Sequence, residues 1–598
     1  MEKYYIIFDD YRLSITLKNY LGLATEIFGN ITLSKGDVDT ILEPIRGTGL
    51  NLSLEANGAI TFDEFALADE QSYYVQLTKS GNIIYNGFIK PDGIQQSYVS
   101  EEWLVNIEAI DGLGAMKDLS FVKSDGLHFT GKLSFYEVIK GCLDRTGLLM
   151  PIYSSIGLAY DDYAGTNILK DTYVNASRYY KSDGETIMDC NEVLTSILNI
   201  FSAVITQENG IWWIYRPTDL KPNTTFINNT LDTEIVVKTN YTLGSQIDNY
   251  YPHHCDGNQQ IEVKGAISAY RLRYEHGFLD GFILNKELIH DKFLNFENWT
   301  VNGANAYRIE NDLTDLSGLK IKGVYSFPGI IAPEILQSDS YAVVAGAVLN
   351  LTASLISERD SVFLFKIKLS TGEYASDAGI WTLADTYFET LCGNPGDVNP
   401  TATFNFRTDP VPNDCTFSVI ICQSLNTDST LTEVTKIDVT DASQTQTGIV
   451  GTFYTVSRTS PPSSITKENQ TVFNGDSTSL LIGSLYKSDK STLTQYWNRT
   501  GFTEDKPILL ISAEDDLRVQ RNAIKIFSGG IFGQLKYLSI ININNIAGKF
   551  MFTNYSYDLR SNKMTAKLTQ LYQDEVGDIE FLISPDYGNG TIKPTIKG

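Results

Sequence analysis

Of 598 residues only six are cysteine and five histidine, and each scarcity closes off a chemistry. The cysteines stand at 142, 190, 255, 392, 415 and 422 and form no CxxC pair. A six-cysteine disulfide framework belongs to short secreted chains, which this is not. Cys142 and Cys190 fall on apolar faces of expected helices, where a free thiol acts as a small hydrophobe. Cys415 and Cys422 sit in or beside one strand-like run and are also expected unpaired. The histidines offer one cluster, His253-His254-Cys255. Adjacent residues on a strand point to opposite faces, so a zinc site there needs further ligands the sequence does not supply, and a polar loop is expected. Neither HExxH nor GxSxG occurs. No metal and no cofactor is expected.

Positive charge is also short: Lys+Arg 47 against Asp+Glu 72 gives a formal net charge of −25. Phosphate affinity depends on Lys and Arg displacing counterions, so specific nucleic-acid binding is not expected. An acidic surface also serves solubility. No window reaches the 18 or more apolar residues of a membrane span, and MEKYYIIFDDYRL lacks the basic n-region of a signal peptide. Stable membrane insertion is therefore not expected.

What is abundant is aromatic and apolar. Aromatics make up 12%, with 34 Tyr and 29 Phe, and hydrophobic residues 42%. Tyr and Phe favour half-buried pleated surfaces, so the composition leans to β structure. The length implies several domains. Residues 1–118 read as short strands (YYIIF, RLSITLK, NLSLEA, YYVQLTK, NIIYNGFI, WLVNIEAI) with period-two alternation, as in a barrel or sandwich. From 119 to 218 the pattern turns α+β. Ser134-Phe-Tyr-Glu137 and Asp189-Cys-Asn-Glu192 are capping-box starts, and Asn209-Gly210 is a hairpin turn. Residues 219–290 return to strands. Between 291 and 447 lies an apparent insertion. In its SVFLFKIKLS run, Phe363, Phe365, Ile367 and Leu369 line one face, while Lys366 and Lys368 are expected to leave the other wet. The stretch 448–490 reads as linker or long loops. Residues 508–528 read as one helix, capped by Ser512 with acids 514–516 in its first turn and ending by Lys525 and Gly529. The final strands complete a C-terminal domain, 448–598. The expected fold class is mainly β and multidomain: barrel or sandwich domains at the ends, a small α+β domain, and an inserted domain that resembles a β-jelly-roll, as set out next.

The passage Tyr85–Phe121, with Gly87-Phe-Ile-Lys-Pro-Asp92 and then Asp111-Gly112-Leu113 and Met116-Lys117-Asp118, resembles one that recurs in baseplate-hub and tail-tip proteins of long-tailed bacteriophages and prophages. The C-terminal run from Leu517-Arg518 through Tyr537, Gly548-Lys-Phe550 and Tyr555–Arg560 to Ala566-Lys-Leu568 is similar to the end of the same family. The insertion, opening on Phe296 and Trp299 and closing near Ile437-Asp-Val439, resembles jelly rolls found among carbohydrate-binding modules. The resemblance implies a virion structural protein at the distal end of the tail, made in the host cytoplasm. It implies a homotrimeric ring joining tail tube to fibre or spike proteins and letting DNA exit, for which an acidic lumen would suit. It implies no enzyme.

Other chemistries are weaker on the residues. Gly126–Leu133 misses a Walker A loop because Leu133 stands where magnesium needs a hydroxyl. Asp161-Asp162, Asp9-Asp10 and Glu514-Asp515-Asp516 are dense enough to consider for glycoside cleavage, but solvated turns or a helix terminus account for them. A host-surface glycan remains a candidate partner. Trp381 and Tyr374, in TGEYASDAGIWTL, are turn-proximal aromatics suited to stacking on a pyranose face. Decoration of the virion without sugar contact is the competing reading.

Overall fold

The computed structural model describes the chain except residues 39, 56–59, 61, 97–103, 130, 182–185, 245–251, 276–298, 302–305, 309–318, 323, 326–333, 344–346, 359, 414, 423–424, 427–430, 442–450, 459–464, 473–475, 480–481, 495, 572–580 and 588–598. It is mainly β and multidomain, with two compact units: Met1–Gly277 with Val450–Gly598, and Phe278–Ile449.

The first unit is organised by one 15-stranded sheet. Its path runs His253–Lys264, Ile524–Phe532, Lys563–Leu571, Ile546–Asp558, Gly29–Lys35, Thr48–Glu55, Leu104–Ile110, Asn82–Ile89, Tyr73–Lys79, Tyr11–Leu17, Glu2–Phe8, Thr25–Glu26. The path is open, not a closed barrel. N-terminal and C-terminal halves of the chain meet where Thr32–Lys35 pairs antiparallel with Tyr555–Asp558. Thr48–Glu55 alternates buried and outward residues, the half-buried pattern its sequence spells. Leu50, Leu52, Val75, Leu77, Val105 and Ile107 share one core with Phe527, Ile541, Phe550 and Leu568. Side chains from both halves of the path touch, so the sheet folds over on itself.

An α+β layer follows. Ser134 and Asp189 each accept a bond from the N3 amide while Glu137 and Glu192 reach back, so both capping boxes form. Helices Phe135–Asp144 and Cys190–Ile200 bury Val138, Ile139, Leu194 and Ile197. Val204–Glu208 and Ile211–Tyr215 make the expected hairpin, with Asn209 and Gly210 at φ 56° and 68° as a type I′ turn requires. They belong to a six-stranded sheet ending in Ile45–Arg46 on one side and Thr233–Lys238 on the other.

Four expectations are corrected here. The helix expected over 508–528 is Ile508–Gln520, begun by Pro507, and Ile524–Phe532 is a strand. Pro507 presets φ one turn before Ser512, and the strand gains ladders on both sides, from His253–Lys264 and from Lys563–Leu571. Within 448–490, Gly451–Arg458 and Thr466–Val472 are strands, not linker, while Ser460-Pro-Pro-Ser463 lies outside the described residues. They flank Ala269–Glu275 on its two edges, and their Thr, Val and Tyr residues suit that pairing. His253-His254-Cys255 opens a strand instead of a loop. Lys366 is buried, as described below.

The second unit is a two-sheet sandwich. Trp299–Val301, Glu334–Ser338, Cys415–Cys422 and Ser361–Leu369 are consecutive in one sheet. Leu431–Asp441, Leu349–Ser357 and Thr401–Arg407 are consecutive in the other. Phe363, Phe365, Ile367, Val419 and Ile421 from the first sheet meet Leu351, Ala353, Ile437 and Val439 from the second, and Trp299 is in this core.

Candidate functional site

Tyr374 and Trp381 lie on two short strands, Tyr374–Ala375 and Trp381–Thr382, that pair antiparallel. In that register Tyr374 faces Thr382, and Trp381 faces Ala375. Directly opposed residues share a face and successive ones alternate, so the two aromatics point to opposite sides of the ribbon. Ala375 is in the sandwich core and Trp381 packs against that core, donating its Nε1–H to the carbonyl of Asp409 at 2.9 Å. Tyr374 instead lies beside Lys368, whose Nζ is 5.3 Å from the ring centroid. Exposed Ile380, Leu383 and Tyr387 continue the apolar character of the Trp381 segment.

Lys366, expected wet, is 2% exposed at its side chain and bonds Glu334 at 2.6 Å and Asp385 at 2.8 Å. Burial opposes its charge, but the bonds to Asp385 and Glu334 outweigh burial and hold the ammonium above the ordinary lysine range. Leu364, Ile420 and Cys422 form a small buried cluster on the same side of the strand pair.

The other polar candidates are committed to structure. Asp162 sits at φ 59° in a turn, and Lys487 Nζ donates to its carboxylate at 2.9 and 3.0 Å and lies 3.5 Å from Asp161. Asp9 occupies the turn between the first two strands at φ 47°. Lys132, the would-be phosphate lysine, donates to the carbonyl of Lys490 at 2.6 Å and stands 3.7 Å from the Tyr486 ring centroid. No group of three or more His, Cys, Asp or Glu fit for a metal occurs among the described residues.

Glu514 and Asp515 are not first-turn acids. Both are buried in mid-helix, where they collect Arg216 from one distant part of the chain and Arg499 and Lys506 from the stretch just before the helix. Arg499 Nη2 donates to Asp515 at 2.8 Å and Arg499 Nη1 to Glu504 at 2.7 Å; Arg216 Nη2 also donates to Asp515. Burial alone would raise the Asp515 carboxyl, yet the two guanidinium groups hold it below the usual carboxylate range.

A second buried junction escaped the sequence entirely. The hairpin 204–215 inserts its tip between the chain's two halves. Gln207 accepts from the Asn86 amide at 2.8 Å and donates to the Asn86 carbonyl at 2.7 Å, completing the edge of strand Asn82–Ile89. Glu208 accepts from the amides of Tyr537 and Leu538 at 3.0 and 3.1 Å. Lys35 donates to Thr48 and Thr206, and Arg46 to the Tyr537 hydroxyl. Burial lowers Lys35 to about 8 and raises Asp111 to about 6. Only the hairpin turn was visible in advance; polar residues inside a strand pattern, such as Thr206-Gln207-Glu208, were the available signal.

No family model matches this chain, and no curated protein matches it. Among solved structures, the tail protein from Neisseria meningitidis MC58 aligns over 94% of this chain and 97% of its own, at 7% identity and TM-score 0.36. The 43 kDa tail protein of prophage MuSo2 from Shewanella oneidensis aligns over 94% and 98%, at 7% identity and TM-score 0.33. The C-terminal CBM6 of LamC, a laminarinase from Zobellia galactanivorans, aligns over 26% of this chain and 98% of its own, at 11% identity and TM-score 0.16.

Proposed function

We propose that this chain is a structural subunit of the distal tail of a long-tailed phage or prophage, a hub or tail-tip protein. In this reading copies associate into a homotrimeric ring that joins the tail tube to fibre or spike proteins and leaves a passage for DNA. The protein acts by holding partners, not by turnover. The observation that carries the reading is architectural. The two passages whose residues resemble the family, 85–121 and 517–568, contribute Asn82–Ile89 and Leu104–Ile110, and Ile524–Phe532, Ile546–Asp558 and Lys563–Leu571, to one sheet. Parts hundreds of residues apart thus make one body, as a ring wall needs. The buried junctions at Gln207–Glu208 and at Asp515 brace that body against the α+β layer.

The test is mass measurement of the purified 66.6 kDa chain together with immunogold labelling of virions. Assemblies at three times the chain mass and label at the tail tip are expected. A chain that stays monomeric at tens of micromolar and is absent from particles sinks the proposal.

A second reading, glycan contact by the sandwich, rests on the exposed segment Ile380–Tyr387 around Trp381. It predicts retention on host surface polysaccharide that Tyr387→Ala weakens and Tyr374→Ala does not, because Tyr387 lies exposed in this segment while Tyr374 is on the opposite side of the ribbon from Trp381.

A further inference from the structure

Edge strands are where sheets recruit other chains. The six-stranded sheet ends in Thr233–Lys238, which pairs antiparallel with Asn223–Asn228. Residues 221–244 are described without a break, and among the described residues no strand lies on the outer side of Thr233–Lys238. Which backbone groups face out follows from two bonds. The Thr239 amide donates to the Pro222 carbonyl at 3.1 Å, continuing the register in which Lys238 faces Asn223. Hydrogen-bonded pairs alternate along an antiparallel ladder, so Val237, Ile235 and Thr233 bond inward, while Glu234, Val236 and Lys238 turn N–H and C=O outward. On the other side of Asn223–Asn228, the Asn229 amide donates to the Ile152 carbonyl at 2.9 Å, which fixes the same alternation independently. Among the described residues the one partner of these outward groups is the Tyr241 hydroxyl, which donates to the Lys238 carbonyl at 3.4 Å. A carbonyl oxygen has a second lone pair for another donor.

The side chains of this edge match a second copy of themselves. Ile235 and Val237 pack against the core that holds Trp213 and Phe226, while Val236 is 69% exposed on the other face, between Glu234 and Lys238. Two copies laid antiparallel with Val236 against Val236 bring the outward groups of Glu234, Val236 and Lys238 together as hydrogen-bonded pairs. The same register sets Glu234 of each copy opposite Lys238 of the other, and Ile235 opposite Val237. A slip by two residues keeps backbone bonds but sets Val236 against Glu234 or Lys238, so the charges choose the register. Charges on an edge deter pairing in general. Here the two signs are spaced to reject other strands and admit their own copy.

We propose that Thr233–Lys238 is a self-recognition edge. It pairs antiparallel with the same strand of a second copy about a twofold axis through Val236, making one sheet continuous across both. The contact is isologous, so it is not a wall contact of a threefold ring and does not depend on the ring reading. It doubles whatever unit the dilute chain forms, a monomer to a dimer or a ring to a joined pair of rings. About six backbone hydrogen bonds and one exposed valine from each copy make an interface smaller than the roughly 1,600 Å² of a standard one, so the doubling depends on concentration.

Sedimentation velocity of the full chain, from about 10 to about 500 micromolar, spans the range of such a weak contact. The wild-type chain is expected to double in mass across it. Val236→Pro removes an outward N–H at a position where edge strands tolerate proline, so the fold is kept, as circular dichroism checks. Its association is expected to weaken about 10-fold or more, from loss of the two central bonds. Glu234→Lys sets lysine against lysine, and Lys238→Glu sets glutamate against glutamate. Each alone is expected to stay undoubled, and their equimolar mixture to pair at least as tightly as wild type, since every charge then meets its opposite. A wild-type chain that keeps its dilute mass at the top of the range overturns the proposal, leaves the edge to a different partner, and does not touch the ring reading. Undiminished doubling in Val236→Pro or in either charge variant alone, or a mixture that does not pair, overturns it too. A chain that doubles without ever forming threes removes the ring reading and keeps this one.

Discussion

Asp515→Ala isolates the ionic junction at the centre of the first unit. The Asp515 carboxylate receives Arg216 and Arg499, and both guanidinium groups are buried with it. Arg499 retains Glu504 at 2.7 Å and Glu514 at 3.4 Å after the change. Arg216 keeps Asp219, at 3.2 Å from its Nε. Removing one partner of a buried pair costs about 3–5 kcal/mol, because a charge is left desolvated and uncompensated. With secondary acids within reach of both arginines the lower end applies, about 3 kcal/mol. The comparison variant is Asp162→Ala, whose Lys487 pair lies at the surface and contributes at most about 1 kcal/mol.

Urea unfolding followed by tryptophan fluorescence reads the difference, since Trp497 and Trp212 are both buried in the core that contains this helix. Arg216→Met with Asp515→Leu, which removes both charges and keeps volume, is expected to lose less than Asp515→Ala alone. The pH dependence has a definite sign. Asp515 titrates lower when folded than unfolded, so its contribution is present above the ordinary carboxylate range and disappears as pH falls through its depressed value. Asp515→Ala therefore narrows its gap to wild type in acid. Equal losses for Asp515→Ala and Asp162→Ala at pH 7 would falsify the claim that this network is internal and structural.

Other outcomes follow from single residues. Burial raises Asp516 to about 7, so its contribution is complete below the unfolded value and lost as pH rises through 7; Asp516→Asn should flatten stability between about pH 4 and 7, measured by thermal melts. Cys142, Cys190, Cys392 and Cys422 are buried, whereas Cys255 and Cys415 are only partly so; a chromogenic disulfide reagent should label Cys255 and Cys415 first and the rest only in denaturant. Gln207→Ala strands the amide and carbonyl of Asn86 and should destabilise by about 2 kcal/mol or more, with Gln207→Glu recovering only the acceptor side. Replacing 277–449 by a short Asn-Gly-containing turn should leave a folded first unit with native-like melting, since Glu275 and Gly451 are already ladder partners.

Local signals were legible and long-range ones were not. Ser134–Glu137, Asp189–Glu192 and Asn209-Gly210 act within four residues, so the sequence states their caps and turn directly. The strand pattern of Thr48–Glu55 was equally plain, because period-two burial needs no knowledge of the partner. Acids 514–516 misled for the opposite reason. A run of carboxylates looks like a dipole-stabilised terminus, and only the arrival of Arg216 and Arg499 from elsewhere makes burial tolerable. Lys366 repeats the lesson: a lysine alternating with Phe and Ile reads as solvent-facing until Glu334 and Asp385 are brought over it. The turn aromatics Tyr374 and Trp381 were seen, but their opposite facing follows from a register that spacing alone does not fix.

The chain's order of parts is explained by one hairpin. Ala269–Glu275 pairs antiparallel with Gly451–Ser457, and its last pair is Glu275 with Gly451. The insertion therefore leaves and re-enters the first unit at adjacent positions, one strand spacing apart, about 5 Å. Closing such a short gap places almost no geometric demand on what lies between, so a whole sandwich can occupy a loop without disturbing the ladder. Ser- and Thr-rich sequence beyond 450 then becomes intelligible. Those residues are the return strands of the host sheet, with Thr466–Val472 and Phe581–Tyr587 completing it, and the helix Ile508–Gln520 packs within the same core. A body closed this way is stabilised by pairing between its own ends, which leaves the sandwich free to change its surface without altering those ladders.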